Sequence, residues 1–466
     1  MAQNLFTQVF GLLLFAIQAP LLGPRAFGLI ALVMVFIGFC EIVVEVASSD
    51  ALISVRDIDA KHYATMTSAN AIFALTLGLC VCFFAGDIAA FFKEPELAPI
   101  LRWMSVLPLV SALASAPNAA SRRAMQFKPL AQRVLISTVI GGVVGLVLTF
   151  LHYGVWALVW QTMLQRVLNV VILWRLVDLP FRLGISRPHW RELWRYGGPM
   201  LLSQTMSWCT AQVPRSIMGL YLGAAELGLF TLGARIHEMV LQLTLSPGFA
   251  VARVELRRFL DDTRGIDAAM TRLLQQMAFL CFPICIGGAV VMPVLFHVWL
   301  DARWAGGVFA AQLMLLGAIP YVTHYGLSAA LLAMNRQSLI AVNSTVQAIA
   351  TVVVVAIFAP FGLTPATAAI ALRPLATATI PIVYARRHCG ISATTVLRAQ
   401  VPLILAALGM GAAVWTMSHL LAPHLRAGVL LVALIAVGAI VYALLLAVFA
   451  PQIAARYRER LGFRAT

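Results

Sequence analysis

Leu22-Gly23-Pro24-Arg25-Ala26-Phe27-Gly28-Leu29 is written a second time as Leu222-Gly223-Ala224-Ala225-Glu226-Leu227-Gly228-Leu229, with Leu, Gly, Gly and Leu in register. An apolar run precedes and follows each copy. Glycines at such a junction let the chain reverse and let helix ends approach closely, so each copy reads as a tight turn between two membrane-spanning helices. An internal duplication sets the architecture. In a membrane protein it points to a transporter with its site between two similar halves.

Composition agrees. The 466 residues are 61% hydrophobic and only 11% charged, with a mean hydropathy of +0.91, which excludes an ordinary soluble protein. Apolar runs of about 20 residues recur along the chain, the length a bilayer core requires. They do not alternate apolar and polar residues as barrel strands do, so the spans are helices. The formal charge of +15 sits in short loops where membrane topology explains it, and no nucleic-acid partner is expected. The seven cysteines, Cys40, Cys80, Cys82, Cys209, Cys281, Cys285 and Cys389, lie in or beside apolar segments without zinc-ligand spacing, and read as small buried hydrophobes. Leu5 to Leu22 lacks a preceding basic region and is expected to be a first span rather than a cleaved leader.

Spans are expected near 5–22, 27–47, 64–85, 99–119, 131–151, 154–176, 199–222, 228–251, 273–297, 308–333, 338–358, 366–384, 400–420 and 428–450, about fourteen in all. One side of the membrane collects Arg56, Lys61, Arg122, Arg123, Lys128, Arg133, Arg175, Arg182, Arg187, Arg191 and Arg195. Arg253, Arg257, Arg258, Arg264, Arg272, Arg336, Arg386, Arg387, Arg398 and the tail arginines lie on it too. The other side holds only Arg25, Lys93, Arg303 and Arg426, with Arg102 near that boundary. Basic loops stay cytoplasmic, which places both termini there.

Six helices separate the two turns, so the halves are parallel repeats. Arg123-Ala124-Met125-Gln126 matches Leu332-Ala333-Met334-Asn335, and Tyr153-Gly154-Val155 matches Phe361-Gly362-Leu363. The expected division is a six-helix bundle over 1–180, a linker over 181–197, a second bundle over 198–388, and two further helices with a basic tail over 389–466. In the linker, Trp190, Leu193 and Trp194 share a helical face while Arg191, Glu192 and Arg195 lie away from it, the pattern of a helix lying at the cytoplasmic interface. Prolines 108, 117, 214, 247, 283, 320, 374 and 381 fall inside spans and can kink them. Gly141-x-x-x-Gly145 is expected to mark close internal helix packing.

The turn Leu21-Leu22-Gly23-Pro24 with Phe27-Gly28, Ala51-Leu52-Ile53, Phe91-Phe92-Lys93-Glu94-Pro95-Glu96-Leu97 and the basic Arg122-Arg123-Ala124-Met125-Gln126-Phe127 together resemble bacterial polysaccharide flippases. These belong to the multidrug/oligosaccharidyl-lipid/polysaccharide exporter superfamily. The similarity is clearest over 20–180. It implies an all-α inner-membrane protein with two six-helix bundles around a central cavity, two extra C-terminal helices, and alternating access. The implied cargo is an undecaprenyl-diphosphate-linked oligosaccharide carried from the cytoplasmic to the periplasmic leaflet. Membrane lipids, a polysaccharide polymerase and assembly proteins are the implied partners. Gln18-Ala19-Pro20 stands before the turn, where relatives often carry a basic residue.

Charges inside spans cost about 2.5–3.5 kcal/mol each at a helix centre, so they face a cavity or a partner. Arg166, Arg215, Arg235 and Arg373 qualify. Counting from the turns at a rise of about 1.5 Å per residue, Arg215, Arg235 and Arg373 sit roughly 10 Å below the periplasmic boundary. Arg166 is deeper, on a helical face with Gln161, Gln165 and Asn169. One reading is a cationic patch for a pyrophosphate, with Gln161, Gln165 and Asn169 meeting sugar hydroxyls. The other is internal pairing, as for Arg235 and Glu238, three residues apart. Glu41 and Glu45 are one turn apart and repel. Glu41 and Glu238 are candidates for coupling to a proton or sodium gradient; no other cofactor is implied.

An enzyme finds little support. Asp261-Asp262 lies among arginines in a loop and reads as a solvated pair. No phosphate-binding glycine loop, His-Glu-x-x-His or nucleophile elbow occurs. A lipid-linked sugar polymerase or transferase would carry a sizeable periplasmic loop, and the periplasmic connections here are short. A multidrug exporter of the same superfamily is the alternative within transport, and it would favour an acidic cavity where this one is basic.

Overall fold

The computed structural model describes residues 2–54, 58–177, 179, 182–249, 256, 263–334, 336–389 and 391–451. Asp261-Asp262, Arg56, Arg253, Arg257, Arg258 and the tail arginines lie outside these residues, as does the side chain of Glu45. Every regular element among the described residues is helical. In chain order they are α1 (Ala2–Ser54), α2 (Ala60–Phe91), α3 (Leu97–Met104), α4 (Leu107–Arg123), α5 (Phe127–Phe150), α6 (Val155–Leu176) and α7 (Arg187–Thr244). There follow α8 (Thr263–Trp299), α9 (Gly307–Leu316), α10 (Tyr321–Ala333), α11 (Gln337–Phe358), α12 (Leu363–Thr377), α13 (Thr379–Cys389), α14 (Ala393–Leu421) and α15 (Ala427–Phe449).

At about 1.5 Å per residue, the 53 residues of α1 would run to roughly 80 Å if straight, far beyond a hydrocarbon core of about 30 Å. The helix reverses at Gly23, whose φ of 74° and ψ of 169° are non-helical. Phe15 and Phe27 meet at a tilt across the reversal with ring centroids 4.7 Å apart, where a straight helix would hold their backbones about 18 Å apart. The 58-residue α7 repeats the device at Gly223, with φ 82° and ψ 176°. There a Cβ at Gly219 would lie 3.3 Å from Leu227 across the turn. Among the described residues, 12 helical stretches are long and apolar enough to span a membrane. Two of them contain these reversals, which yields fourteen crossings and accords with the expected number. Large apolar side chains stay exposed along the spans, among them Phe83, Val432, Ile435 and Leu444, as lipid contact requires.

The two turns share dihedrals and also meet. A Cβ at Gly28 would fall 1.7 Å from the Ala224 carbonyl oxygen, and one at Gly228 would fall 1.9 Å from that of Pro24. The seventh position of each copy therefore packs on the third of the other, and only glycine fits. Glu94 braces the junction, accepting from Arg25 at 2.9 Å and from the Ala224 N–H at 3.0 Å.

Other repeat features recur. Gly154 and Gly362 have φ of 58° and 114° and begin α6 and α12. The fourth span breaks between α3 and α4 just before Pro108, and the tenth between α9 and α10 at Pro320, where each proline starts a new helical segment. One sequence match is corrected by a residue. Ala124, not Met125, corresponds to Met334, since both cap their helices. The Gln126 N–H donates to Ser121 O as the Arg336 N–H does to Leu331 O. The shared methionine pulled the alignment out of the register that the helix-ending hydrogen bonds define.

Contacts divide the chain into two compact units, Met1–Gly228 and Leu229–Thr466. In the first, α5 lies close on α6 because Gly141 and Gly145 leave no room for a Cβ beside Gln165 and Gln161, the internal packing expected of that pair. The linker helix runs without a non-helical residue into the seventh span. Its Leu193 is buried against Leu52, Met66 and Ala119, while Trp194 stays exposed. In the second unit, α8 packs on α9, α14 and α15. Among the described cysteines all are free, and Cys80 is exposed on its span rather than buried.

Candidate functional site

Two intramembrane charges of the first unit pair with each other. Arg166 of α6 donates to Glu41 of α1 at 3.0 Å, and the Ser111 hydroxyl of α4 donates to the other Glu41 oxygen at 2.9 Å. Glu41 is buried and Arg166 is partly exposed. A carboxylate in a span is stabilised when a cation and a hydroxyl both reach it, so two residues singled out separately in the sequence form one ion pair. Gln161 is likewise engaged: its Oε1 accepts from Gln18 Nε2 at 2.7 Å. Gln18 is buried and also donates to Thr149 at 3.4 Å. Gln165 packs over Gly141, and Asn169 lies half-buried two turns from Gln161 on the same helix. Arg215, also in this unit, donates to Gln212 at 3.1 Å on its own helix.

The second unit handles Arg373 differently. Arg373 of α12 donates to the Gln347 carbonyl at 3.1 Å and to the hydroxyls of Thr351 and Tyr321. All three acceptors are neutral, and among the described residues no carboxylate reaches Arg373. Its Nε is buried without a hydrogen-bond partner, as are Gln347 Oε1 and Asn343 Oδ1. The cluster follows from helical spacing: Gln347 and Thr351 are one turn apart on α11, and Tyr321 and His324 on α10. A break between α12 and α13 adds to it. The Ala378 N–H turns to Leu375 O, which leaves the Pro374 carbonyl to accept from His324 Nε2 at 2.9 Å. Gln347 Nε2 donates to Thr377 at 2.6 Å. His237 of α7 stands over Tyr321 with ring centroids 5.5 Å apart, within electrostatic range of Arg373 and Glu238. Arg235 lies in range of Glu238.

Arg373, Arg235, His237 and Glu238 thus share one neighbourhood of the second unit. Sequence reasoning missed Tyr321, His324, Gln347, Thr351 and His237. A search for polar residues at one-turn spacing inside spans, not only charged ones, would have found them. The arrangement presents a fixed guanidinium, an unused N–H and several neutral donors, which suits an anion whose oxygens can take the spare donor.

A family model described as "Polysaccharide biosynthesis protein" matches residues 17–309. The succinoglycan biosynthesis transport protein ExoT of Rhizobium meliloti (strain 1021) is 24% identical over 289 residues, which cover 62% of this chain and 58% of that protein's length. Among solved structures, the lipid II flippase MurJ in its inward closed conformation superposes with a TM-score of 0.79. Its identity is 13%, and the match covers 97% of this chain and 98% of MurJ. An inward-facing multidrug resistance transporter of the MATE family, in the MOP superfamily, superposes with a TM-score of 0.62 at 17% identity, covering 82% of this chain and 94% of that one. At these identities the two structural likenesses concern the fold alone, a polytopic helical one.

Proposed function

The chain belongs to the polysaccharide biosynthesis protein family, and from that premise we propose that it is a flippase for an undecaprenyl-diphosphate-linked oligosaccharide. It carries this cargo from the cytoplasmic to the periplasmic leaflet of a bacterial inner membrane by alternating access, with both termini cytoplasmic, and it performs no chemistry on the cargo. One observation carries the reading: Arg373, inside a span, is held among the described residues only by neutral groups and keeps an unspent Nε–H. A diphosphate supplies the missing counter-charge and acceptor oxygens. Tyr321, Thr351 and Gln347 orient the guanidinium, and Arg235 adds positive charge for the same anion. ExoT's name, a succinoglycan biosynthesis transport protein, supports a polysaccharide cargo, and MurJ's, a lipid II flippase, a lipid-linked one.

Glu238 is then the carboxylate on which a proton or sodium ion, drawn by a gradient, acts, while Glu41, the other candidate, is neutralised by Arg166 and belongs to the scaffold. Asn169 remains for sugar hydroxyls. A polymerase and assembly proteins receive the product. An exporter of cationic drugs would need an acidic cavity, against which Arg373 argues. Deleting the gene tests the function: surface or secreted polysaccharide stops and lipid-linked repeat units accumulate on the cytoplasmic leaflet. Normal export in the absence of a redundant homologue refutes it.

A further inference from the structure

Before the start of α2, Asp59 caps the helix, its carboxylate accepting from the His62 N–H at 3.0 Å. That backbone hydrogen bond, together with the His62 ring, holds the Asp59 carboxyl below the usual carboxylate range. His189, from the first turn of α7, comes over the same carboxylate: its Nε2 stands 3.6 Å from Asp59 Oδ2. The two imidazoles meet edge to face with centroids 4.3 Å apart. One donor atom each from Asp59, His62 and His189 lies within 4.8 Å of the other two.

Each ring is oriented from its far side. Ser186 holds His189 by Nδ1 at 2.5 Å, which turns Nε2 toward Asp59. Glu192 holds His62 by Nε2 at 3.4 Å, which turns Nδ1 toward Asp59. A partner on the opposite ring nitrogen, carboxylate included, is how proteins fix a metal-bound imidazole in its tautomer. His62 Nδ1 accepts from the Asp59 N–H at 3.3 Å, yet stands 2.8 Å from the Asp59 Oδ1. Two lone-pair atoms at that distance need a proton or a metal between them.

We propose that Asp59, His62 and His189 form a three-ligand site for a divalent transition-metal ion, zinc by its donor set, with Glu192 and Ser186 as outer partners. Ligand bonds of about 2.0 Å in a tetrahedral site place donor atoms about 3.3 Å apart. The 2.8 Å from His62 Nδ1 to Asp59 Oδ1 and the 3.6 Å from His189 Nε2 to Asp59 Oδ2 bracket that value on the two oxygens of one carboxylate; rotation of that carboxylate would bring one oxygen to an ion held by both imidazoles and leave a fourth position for water. Two imidazoles and one carboxylate select zinc-like ions over magnesium or calcium, which require several oxygens. Lys61, Arg187 and Arg191 make the surroundings basic, which further disfavours a loosely held hard cation. Bound metal would staple the linker helix to the head of α2. The Ser186 and Gly184 N–H groups already bond there to Thr65 and Ser68.

The test uses the full chain, purified in detergent and stripped with chelator. Titration with Zn2+, and with Co2+ as a spectroscopic probe, should show one equivalent bound with the absorption of a tetrahedral nitrogen and oxygen site, and Zn2+ should raise the melting temperature. His189→Ala should abolish that equivalent. Glu192→Gln should weaken it tenfold to a hundredfold. His189→Cys, which restores a ligand, should recover binding. That variant keeps the test decisive if His189→Ala folds poorly. Equal zinc binding by wild type and His189→Ala, or no bound equivalent in the wild type, overturns the proposal and leaves a proton-held cluster.

Discussion

Arg166 in the sixth span and Arg373 in the twelfth hold corresponding helices of the repeat, both begun by a glycine of positive φ, and they meet opposite surroundings. Arg166 is matched by a buried carboxylate that a serine also supports. Arg373 is surrounded by hydroxyls and a carbonyl and keeps a buried N–H unused. An intramembrane cation needs compensation of a few kcal/mol. Where the fold supplies it, the residue is part of the scaffold. Where the fold withholds it, the proposed cargo anion would supply it.

The largest effect is expected at Arg373. Charge-assisted hydrogen bonds are worth about 1.5–3 kcal/mol each, and about 1.4 kcal/mol is a factor of ten. Arg373→Ala should therefore cut transport on the order of a hundredfold at unchanged protein abundance, read by measuring glycan export and protein level together. Arg166→Ala should act through the protein instead. It orphans the Glu41 carboxylate, and losses of about 1–2 kcal/mol lower abundance several-fold. Glu41→Gln in the same chain should restore both abundance and export. Recovered abundance without recovered transport in that double variant would move the pair from scaffold to transport and break the contrast. The smallest effect is Arg373→Lys, which keeps the charge and loses the planar fork, for a drop of roughly tenfold.

The turns were readable because glycine at a reversal has few substitutes. Gly23 and Gly223 take the same dihedrals, and Gly28 and Gly228 sit where any Cβ would strike a carbonyl. Span count followed from apolar length. The Glu41–Arg166 pair was not readable as a pair, because its members lie 125 residues apart and only packing brings α1 and α6 together. The Arg373 cluster was half readable. The arginine announces itself in an apolar run, but Tyr321, Gln347 and Thr351 are uncharged and merge into span composition. The zinc-like cluster escaped because its histidines come from segments 127 positions apart, joined by the fold and not by motif spacing.

The most direct test is binding of undecaprenyl diphosphate to purified wild type, Arg373→Ala and the Glu41→Gln, Arg166→Ala double variant, each checked for folding. The account predicts that Arg373→Ala weakens binding on the order of a hundredfold while the double variant binds as the wild type does. Undiminished binding by Arg373→Ala, with loss in the double variant, would contradict it.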